Sequence, residues 1–377
     1  MNKGVTSGAV SIYLAEISPT NLRGSMCSAH QVMLSFAILI SQLLGLPQVM
    51  GTSQLWPILF ALTIIPAIIQ ISLLPFLPES PRYLLIYKEK EQNAKKALII
   101  LRNSPDVEDE IEQMKVEYQD QKRLPPVTWA DMVKKQVYRK PLIIASETSI
   151  SQQLTAISAV LSYSTALFIS AGVAVGYATY ITLALGLLYF LLCTLSLLII
   201  EKAGRRTLFL TGLGGMWFCT LLITISLGIG NRHGLEWVSL LGVVFIFGYV
   251  GFCAIGPSVI AWFIPAELFT QSSRPKGMSI AVGFNWLSSF LAVFLFPILL
   301  SALQDYIFLV FTVLLALFWL FTYNYLPETQ GRTSDELARL FMTPSEINRI
   351  HKFWRNYHFR KPRTHPHRHN HDHDTRL

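Results

Sequence analysis

Charged residues are scarce in this sequence, and long stretches have none. Of the 377 residues, 14% are charged and 52% are hydrophobic, whereas a soluble domain usually carries about 25% charged residues. A helix needs about 20 apolar residues to span a bilayer. This scarcity of charge excludes an ordinary soluble globular protein and predicts a polytopic protein embedded in a lipid bilayer. The stretches without Asp, Glu, Lys or Arg are 24–78, 148–200, 207–231, 237–266, 278–304 and 306–327.

The sequence also lacks the patterns of several functional classes. It contains no catalytic triad, phosphate-binding loop or metal-ligand quartet, and this predicts a protein that is not an enzyme and has no cofactor or metal site. No N-x-[ST] sequon occurs, so glycosylation does not mark the outer face. The four cysteines have no CxxC spacing and are interpreted as apolar packing residues of the predicted spans: Cys27, Cys193, Cys219 and Cys253.

The charge-free stretches predict eight complete membrane helices, and the positive charges predict their orientation. The formal net charge is +8, which the positive-inside rule explains without a nucleic-acid partner. Lys and Arg concentrate in 79–139, 201–206, 267–277 and after 327, and alternation of the spans puts these segments on one side. That side, with the C-terminus, is predicted to be cytoplasmic. The spans are expected near 27–47, 55–77, 140–165, 174–200, 207–230, 238–264, 278–301 and 306–326.

Two segments of the chain repeat the same pattern. Glu16 and Arg23 are seven residues apart, as are Glu267 and Arg274, and each pair precedes two uncharged helices that end in Pro-Glu-Ser/Thr. The interval from the arginine to that proline is 55 residues in the first copy and 53 in the second. Parallel repeats of this kind, in two halves of six helices, are typical of major facilitator transporters.

The first copy of the repeat is shorter at its beginning. Only 15 residues precede Glu16, so roughly 110 residues, or about three helices, are expected to be lacking from the first half. The predicted fold is therefore an all-α major facilitator fold without about three N-terminal helices. The expected parts are 1–82, the remainder of the N-terminal bundle; 83–139, a cytoplasmic helical linker; 140–330, a C-terminal six-helix bundle; and 331–377, a disordered cytoplasmic tail.

Seven motifs resemble those of the facilitative glucose transporters, the sugar-porter branch of the major facilitators. The resemblance extends from about residue 4 to residue 342 and implies facilitative hexose transport by alternating access in the plasma membrane. It leaves the oligomeric state open. The motifs are YLAEISPTNLRGS, LPESPRYLL, SQQLTAISAV, EKAGRRTL, WFIPAELF, FNWLSS and LPETQGRT.

The paired amides in SQQLTAISAV have a physical reason to be in such a protein. An amide offers both a hydrogen-bond acceptor and donors, as a sugar hydroxyl does, and it binds without charge. An interhelical hydrogen-bond clamp is the alternative role for the pair. The resemblance implies sugar contacts at Gln31, Gln152, Gln153, Ser158, Trp262 and Asn285.

Trp262 and the stretch before it carry two further expectations. The resemblance implies that the Trp262 ring forms the floor of the sugar site, and ordinary packing is the alternative. Gly256-Pro257 lies within a predicted span, where proline removes a backbone hydrogen bond and permits a helix break. This break is expected to act as a gate, or to be only a structural kink.

The sequence departs from the family pattern at several polar positions. Ala156 and Ser158 stand where the family has glycine and asparagine, and Tyr189 stands at a family asparagine. Ala254 replaces an acidic residue, and Ser289 replaces an asparagine. Val259 and Ala261 replace prolines. These departures put ordinary glucose affinity in question.

Charged residues at the predicted cytoplasmic ends of the helices form a separate set. The resemblance implies that they pair in networks that lock one conformation of the transporter, while snorkelling and topology signals are the alternative. The candidates are Glu16, Arg23, Glu79 and Arg82 in the first half, and Glu201, Arg205, Arg206, Glu267 and Arg274 in the second.

Two other functions remain open from the sequence. One is a truncated, non-transporting or regulatory product of a sugar transporter gene. The other is a proton-coupled sugar symporter, for which Glu147 is the candidate acid, although its distance of six residues from Pro141 favours a position at the cytoplasmic interface. The histidines after 360 could bind Zn²⁺ or Ni²⁺, but a disordered tail is the preferred interpretation.

Overall fold

The computed structural model of the chain describes residues 2–19, 23–86, 88–123, 127–262, 264–270, 272–332 and 334–342. Throughout these residues the regular secondary structure is helical, with no strand. Short 3₁₀ helices occur at Leu74–Phe76 and Gln304–Tyr306. The α-helices are α1 (Asn2–Ile17), α2 (Arg23–Leu44), α3 (Trp56–Ala61), α4 (Ile64–Leu73), α5 (Pro81–Ile86), α6 (Glu91–Arg102), α7 (Glu108–Arg123), α8 (Trp129–Lys134), α9 (Gln136–Leu154), α10 (Ile157–Ser170), α11 (Val175–Ala203), α12 (Arg205–His233), α13 (Glu236–Ile255), α14 (Pro257–Ile260), α15 (Ile264–Leu268), α16 (Arg274–Leu303), α17 (Ile307–Tyr325) and α18 (Ser334–Phe341).

Among the described residues, seven helical segments are long and apolar enough to cross a membrane. The span predicted at 27–47 is α2, whose apolar part, Ala29–Leu44, is shorter than the others. The prediction of an all-α polytopic membrane protein is confirmed. The seven segments are Trp56–Phe76, Gln136–Ser170, Val175–Ile200, Arg205–Gly230, Trp237–Leu268, Arg274–Leu303 and Ile307–Tyr325.

Three predicted spans are interrupted, two of them where the sequence predicted continuous helices and the third at the break expected at Gly256-Pro257. The first divides into α3, α4 and a 3₁₀ turn because Pro66 and Pro75 each lack the N–H that would continue the helical ladder. The second divides between α9 and α10, where Ala156 has a φ of 72°. The third divides between α13 and α14 at Gly256, which has a φ of −106° and a ψ of −97°.

The second half contains the continuous apolar core. Phe209, Phe269 and Phe296 are fully buried there. Helix α12 packs along α13 and α17, while α9 packs along α16. The first-half helix α2 lies against α11, whereas α3 and α4 contain no buried residue.

The break between α13 and α14 sits close to α12. A Cβ atom on Gly212 would lie 2.5 Å from the Pro257 Cδ atom, and one on Gly256 would lie 2.6 Å from the Leu208 carbonyl oxygen. Such distances are too short for any side chain at either position. Glycine at both positions therefore lets the broken helix rest directly on the backbone of α12.

The segment between the halves has its own small core, which α5, α6 and α7 form around Leu98 and Ile111. Arg102 attaches this core to α1 because its Nη1 donates to the Ile17 carbonyl oxygen at 2.9 Å. At the other end of the segment, Lys276 Nζ donates to the Val127 carbonyl oxygen and lies 5.6 Å from the centre of the Trp129 ring. The segment is thereby bonded to both halves.

The first part of the predicted disordered tail is a helix. Leu337, Ala338 and Phe341 of α18 are buried, because their helical spacing puts them on one face and α18 packs against α9 and α15. The prediction of disorder is therefore wrong for 334–341. The histidine-rich segment lies outside the described residues.

Candidate functional site

Gln152 joins three helices. It lies in the last turn of α9 and is 3% exposed. Its Nε2 donates to the Ser258 carbonyl oxygen of α14 at 2.9 Å, and its Oε1 accepts a hydrogen bond from Asn285 Nδ2 of α16 at 2.6 Å. Both ends of this amide are therefore paired inside the bundle.

Gln153 shares the same asparagine. Its Nε2 donates to Asn285 Oδ1 at 3.3 Å, and its Oε1 accepts from Ser158 Oγ at 2.6 Å. Consecutive helical positions point about 100° apart, so one asparagine between the two glutamines brings both amides into one cluster. Ser289 extends the cluster, with its Oγ 3.5 Å from Ser158 Oγ.

Gln31 connects the first half of the chain to this cluster through Tyr189. Its Nε2 donates to the Tyr189 hydroxyl at 2.9 Å, and that hydroxyl donates to Ser258 Oγ at 3.0 Å. Gln31, Tyr189 and Ser258 are all buried. A polar chain therefore runs from α2 through α11 and α14 to the glutamine pair of α9.

The helix break is what makes Ser258 available to both partners. Pro257 occupies the first position of α14, so Ser258 follows the break immediately. Its carbonyl oxygen binds Gln152, while its hydroxyl binds Tyr189 and lies 3.2 Å from the Cys253 Sγ atom. The break thus supplies a polar junction in an otherwise apolar span.

Trp262 lies next to a histidine that the sequence reasoning missed. The rings of His30 and Trp262 are 5.0 Å apart in an edge-to-face arrangement, and His30 precedes Gln31 on α2. Trp262 is 5% exposed. Among the described residues, neither Trp262 Nε1 nor His30 Nδ1 has a hydrogen-bond partner, and both atoms are buried.

These contacts bring five of the six predicted sugar-binding residues into one hydrogen-bonded network. Gln152, Gln153, Ser158 and Asn285 form direct hydrogen bonds, and Gln31 reaches them through Tyr189 and Ser258. Trp262, the sixth, contacts His30, which is the neighbour of Gln31 on α2. The network consists of side-chain amides, hydroxyls and a backbone carbonyl. Such a set suits a polyhydroxylated, uncharged ligand.

Within the described part of the chain, an ion pair joins two of the predicted candidates at the charged helix ends. Arg205 Nε lies 3.6 Å from Glu267 Oε1. The backbone N–H groups of Arg205 and Arg206 donate to the two carboxylate oxygens of Glu328 at 2.9 and 3.1 Å. Glu328, which the sequence reasoning missed, therefore caps the N-terminus of α12.

The remaining charged candidates have other surroundings. Arg206 Nη2 donates to the Tyr323 carbonyl oxygen at 2.7 Å, and Arg274 Nη2 donates to that of Phe269 at 3.3 Å. Glu16 and Arg82 are half-buried, and Glu79 is exposed. The side chains of Arg23 and Glu201 lie outside the described residues. Their pairing in a conformational lock stays a prediction.

Among the groups that sequence reasoning missed, Tyr189 had the clearest signal. It was visible as a departure from the family asparagine, but its partners on α2 and α14 are distant in sequence. Ser258 and His30 are each adjacent to a singled-out residue, Pro257 and Gln31 respectively. Glu328 lies in the PETQGR motif, where the spacing was used only to find the repeat.

Comparisons with known proteins agree with this architecture. Residues 1–341 match the family described as Sugar (and other) transporter. The chain is 43% identical over 338 residues to solute carrier family 2, facilitated glucose transporter member 1 of Gallus gallus, covering 90% of this chain and 68% of that protein. It is 44% identical to member 3 of Ovis aries, with the same coverage.

A solved structure supports the fold. The MFS proton:xylose symporter XylE bound to 6-bromo-6-deoxy-D-glucose superposes with a TM-score of 0.70 at 23% sequence identity, covering 88% of this chain and 70% of that one. The expected major facilitator fold and the resemblance to sugar porters are both confirmed. The chain belongs to the sugar transporter family.

Proposed function

We propose that this chain is a facilitative hexose transporter that works by alternating access, in the plasma membrane and with its C-terminus in the cytoplasm. The observation that carries the proposal is the uncharged polar network that joins α2 of the first half to α9, α11, α14 and α16 of the second. A site shared by two halves is what a rocking transporter requires. The relatives named as facilitated glucose transporters support the same substrate class.

The hydrogen bonds within the network explain how a sugar can bind and leave. Gln152, Gln153 and Asn285 bind one another, so each sugar hydroxyl exchanges one hydrogen bond for another. Since a typical hydrogen bond contributes only about 0.5–1.5 kcal/mol net, this exchange allows reversible binding. The unpartnered Trp262 Nε1 and His30 Nδ1 atoms offer additional contacts.

Two features support the alternation itself. The break at Gly256-Pro257 lets α13 and α14 move as separate pieces, and Ser258 directly after the break is part of the polar network. The Arg205–Glu267 pair stabilises one arrangement of the helix ends. An exposed pair contributes little, but Arg205 is buried, and removing one partner of a buried pair is costly.

The proposal is tested by saturable hexose binding and uptake with the purified chain in liposomes. Gln152→Ala and Asn285→Ala each leave buried partners unpaired, at about 1–3 kcal/mol, and should weaken sugar affinity about tenfold or more. Gln48→Ala is the matched control, because the Gln48 amide bonds to Tyr180 at an exposed position. Equal sugar binding and uptake in the wild type and all three variants would contradict the assignment of Gln152 and Asn285 to the sugar site.

A non-transporting member of the family is the second candidate. The absence of any buried residue in α3 and α4 favours it, since a closed pathway needs packed helices on both sides. Saturable sugar binding without flux would identify this case. Binding together with flux would identify a transporter.

A further inference from the structure

Glu147 is a carboxylic acid inside a membrane-spanning helix. It lies on α9, five residues before Gln152, and is 9% exposed. The sequence favoured a position at the cytoplasmic interface; in the structure α16 and α17 pack against α9, and the side chain is buried among them. The residues that line the same groove, of about 370 Å³, include Ile280 and Phe284 of α16 and Phe318 and Phe321 of α17.

The carboxyl group has only one polar neighbour among the described residues. Its Oε1 accepts a hydrogen bond from Thr322 Oγ1 at 3.4 Å. Its Oε2 is buried and has no hydrogen-bond partner. The rest of the groove is apolar except for Ser146.

No cation within the described part of the chain forms an ion pair with Glu147. Helices α10, α14 and α17, which pack against α9, contain no Asp, Glu, Lys, Arg or His, and their titratable groups are the phenols of Tyr163, Tyr323 and Tyr325. The charged groups of the other helices packed on α9 lie in segments predicted to be cytoplasmic, as does Arg139 of α9 itself, and Lys140 is the first residue of the span predicted at 140–165. The charged groups of those helices are Asp131 and Lys134 of α8, Glu267 of α15, Arg274 and Lys276 of α16, and Asp335, Glu336 and Arg339 of α18.

The carboxyl therefore needs a proton in this conformation. A carboxylate without a cation or a full set of donors is costly in an apolar interior, and an acid within a span is a functional candidate for this reason. A protonated carboxyl removes the charge and adds a donor. We propose that Glu147 is a proton-binding site whose occupancy controls sugar transport, an inference that rests on the proposed function.

Helices α9 and α16 connect the Glu147 groove to the proposed sugar site. Helix α9 carries both Glu147 and Gln152, and α16 carries Phe284 of the groove beside Asn285 of the sugar site. A rearrangement that opens one site therefore moves the walls of the other. The conformation described here shelters the proton, and a conformation that admits water to the groove releases it, so pH shifts the balance between them.

Sugar uptake at equal pH on both sides of the membrane tests the control of transport. Between about pH 5.5 and pH 8.5, the uptake rate of the wild type should change several-fold as Glu147 gains or loses its proton. Glu147→Gln imitates the protonated group, so at every pH its uptake rate should equal the wild-type rate measured at about pH 5.5. Glu147→Asp should remain pH-dependent, and Glu112→Gln, at an exposed position of α7, should follow the wild type.

An infrared measurement tests the proton itself, without transport. The purified chain at neutral pH should show the C=O stretching band of a protonated carboxyl, and Glu147→Gln should lack this band. A wild type without the band, a flat wild-type profile, or a Glu147→Gln profile equal to that of the wild type would each overturn the proposal. Absence of saturable sugar binding and uptake in every variant would instead contradict the proposed function, while the infrared band still decides whether Glu147 holds a proton.

Discussion

Phenylalanine has opposite surroundings in the two halves of the molecule. Phe209 of α12 is fully buried, whereas Phe60 of α3 is 68% exposed. Both lie in spans of similar apolarity, with mean hydropathies of 1.9 and 2.2. The hydropathy of a span therefore reports its compatibility with lipid, and not how many helices pack around it.

The first half is joined to the second by polar contacts as well as by packing. Lipid tails are as apolar as leucine, so burial of apolar surface does not by itself drive helices together in a bilayer. Helix α2 packs on α11 and adds the hydrogen bond from Gln31 to Tyr189. This contrast predicts that truncating a core side chain in the second half lowers the free energy of unfolding strongly. Where the halves meet, it predicts that the loss of a single polar contact is enough to lower it.

Replacement of Phe209 by alanine should have the largest effect. A cavity in a packed core costs about 3–5 kcal/mol for Phe→Ala, since the lost contacts are not replaced. Phe60→Ala is the matched control and should change the free energy of unfolding little. Unfolding in mixed detergent micelles measures both variants, and similar losses would contradict the contrast between the halves.

Removal of the Tyr189 hydroxyl should have the next largest effect. Tyr189→Phe leaves the Gln31 amide and the Ser258 hydroxyl without this partner, at a cost of about 1–3 kcal/mol in the free energy of unfolding. Tyr177, which is 71% exposed, provides the control Tyr177→Phe, for which no loss is expected. An unchanged stability of Tyr189→Phe would show that packing alone holds α2 on α11.

Arg102→Lys tests how firmly the segment between the halves holds α1. The Arg102 guanidinium binds both carboxylate oxygens of Glu110, at 3.0 and 2.7 Å, together with the Ile17 carbonyl oxygen. A lysine cannot reproduce this fork, so we expect a loss of about 1–2 kcal/mol.

Its control comes from an exposed ion pair of the same segment. Lys115 pairs with Glu91 on the surface, and Lys115→Ala should cost less than about 1 kcal/mol. Limited proteolysis between α7 and α8, together with the unfolding measurement, distinguishes the two variants. A larger effect at Lys115 than at Arg102 would contradict the anchoring role.

Ala156→Gly should have the smallest effect, and it should be stabilising. Ala156 has a left-handed φ of 72°, which costs an L-residue about 1–2 kcal/mol, and glycine removes this strain. Ala159 is equally buried but lies within α10, so Ala159→Gly should destabilise by about 1 kcal/mol. Thermal unfolding should show a higher unfolding temperature for Ala156→Gly and a lower one for Ala159→Gly. A lower unfolding temperature for both variants would refute the strain argument.

The spans were predictable because they depend on local composition, whereas their interruptions depend on particular residues. Charge-free stretches located α9 to α17 to within a few residues. Pro66 and Pro75 break the second predicted span, and the backbone of Ala156 breaks the third. A hydropathy pattern averages over such single residues.

For the residues proposed to bind sugar, the sequence predicted the residue types but not which of them contact one another. The pair Gln152 and Gln153 indicated hydrogen bonding to an uncharged ligand, but Asn285 becomes their shared partner only when α16 packs on α9. The burial of Glu147 could not be predicted, because the residues that line its groove include Phe318, which is more than 150 residues away in sequence. Long-range packing decided both cases.

The Glu328 cap also has a consequence for the order of assembly during synthesis. Its carboxylate receives backbone N–H groups of Arg205 and Arg206 as well as those of Thr329 and Gln330. The ribosome makes Arg205 and Arg206 more than 120 residues before Glu328, and chain growth proceeds at about 5–20 residues per second. The first turn of α12 consequently waits several seconds, uncapped, until α17 has been inserted, so closure of this end of the bundle is a late step of biogenesis.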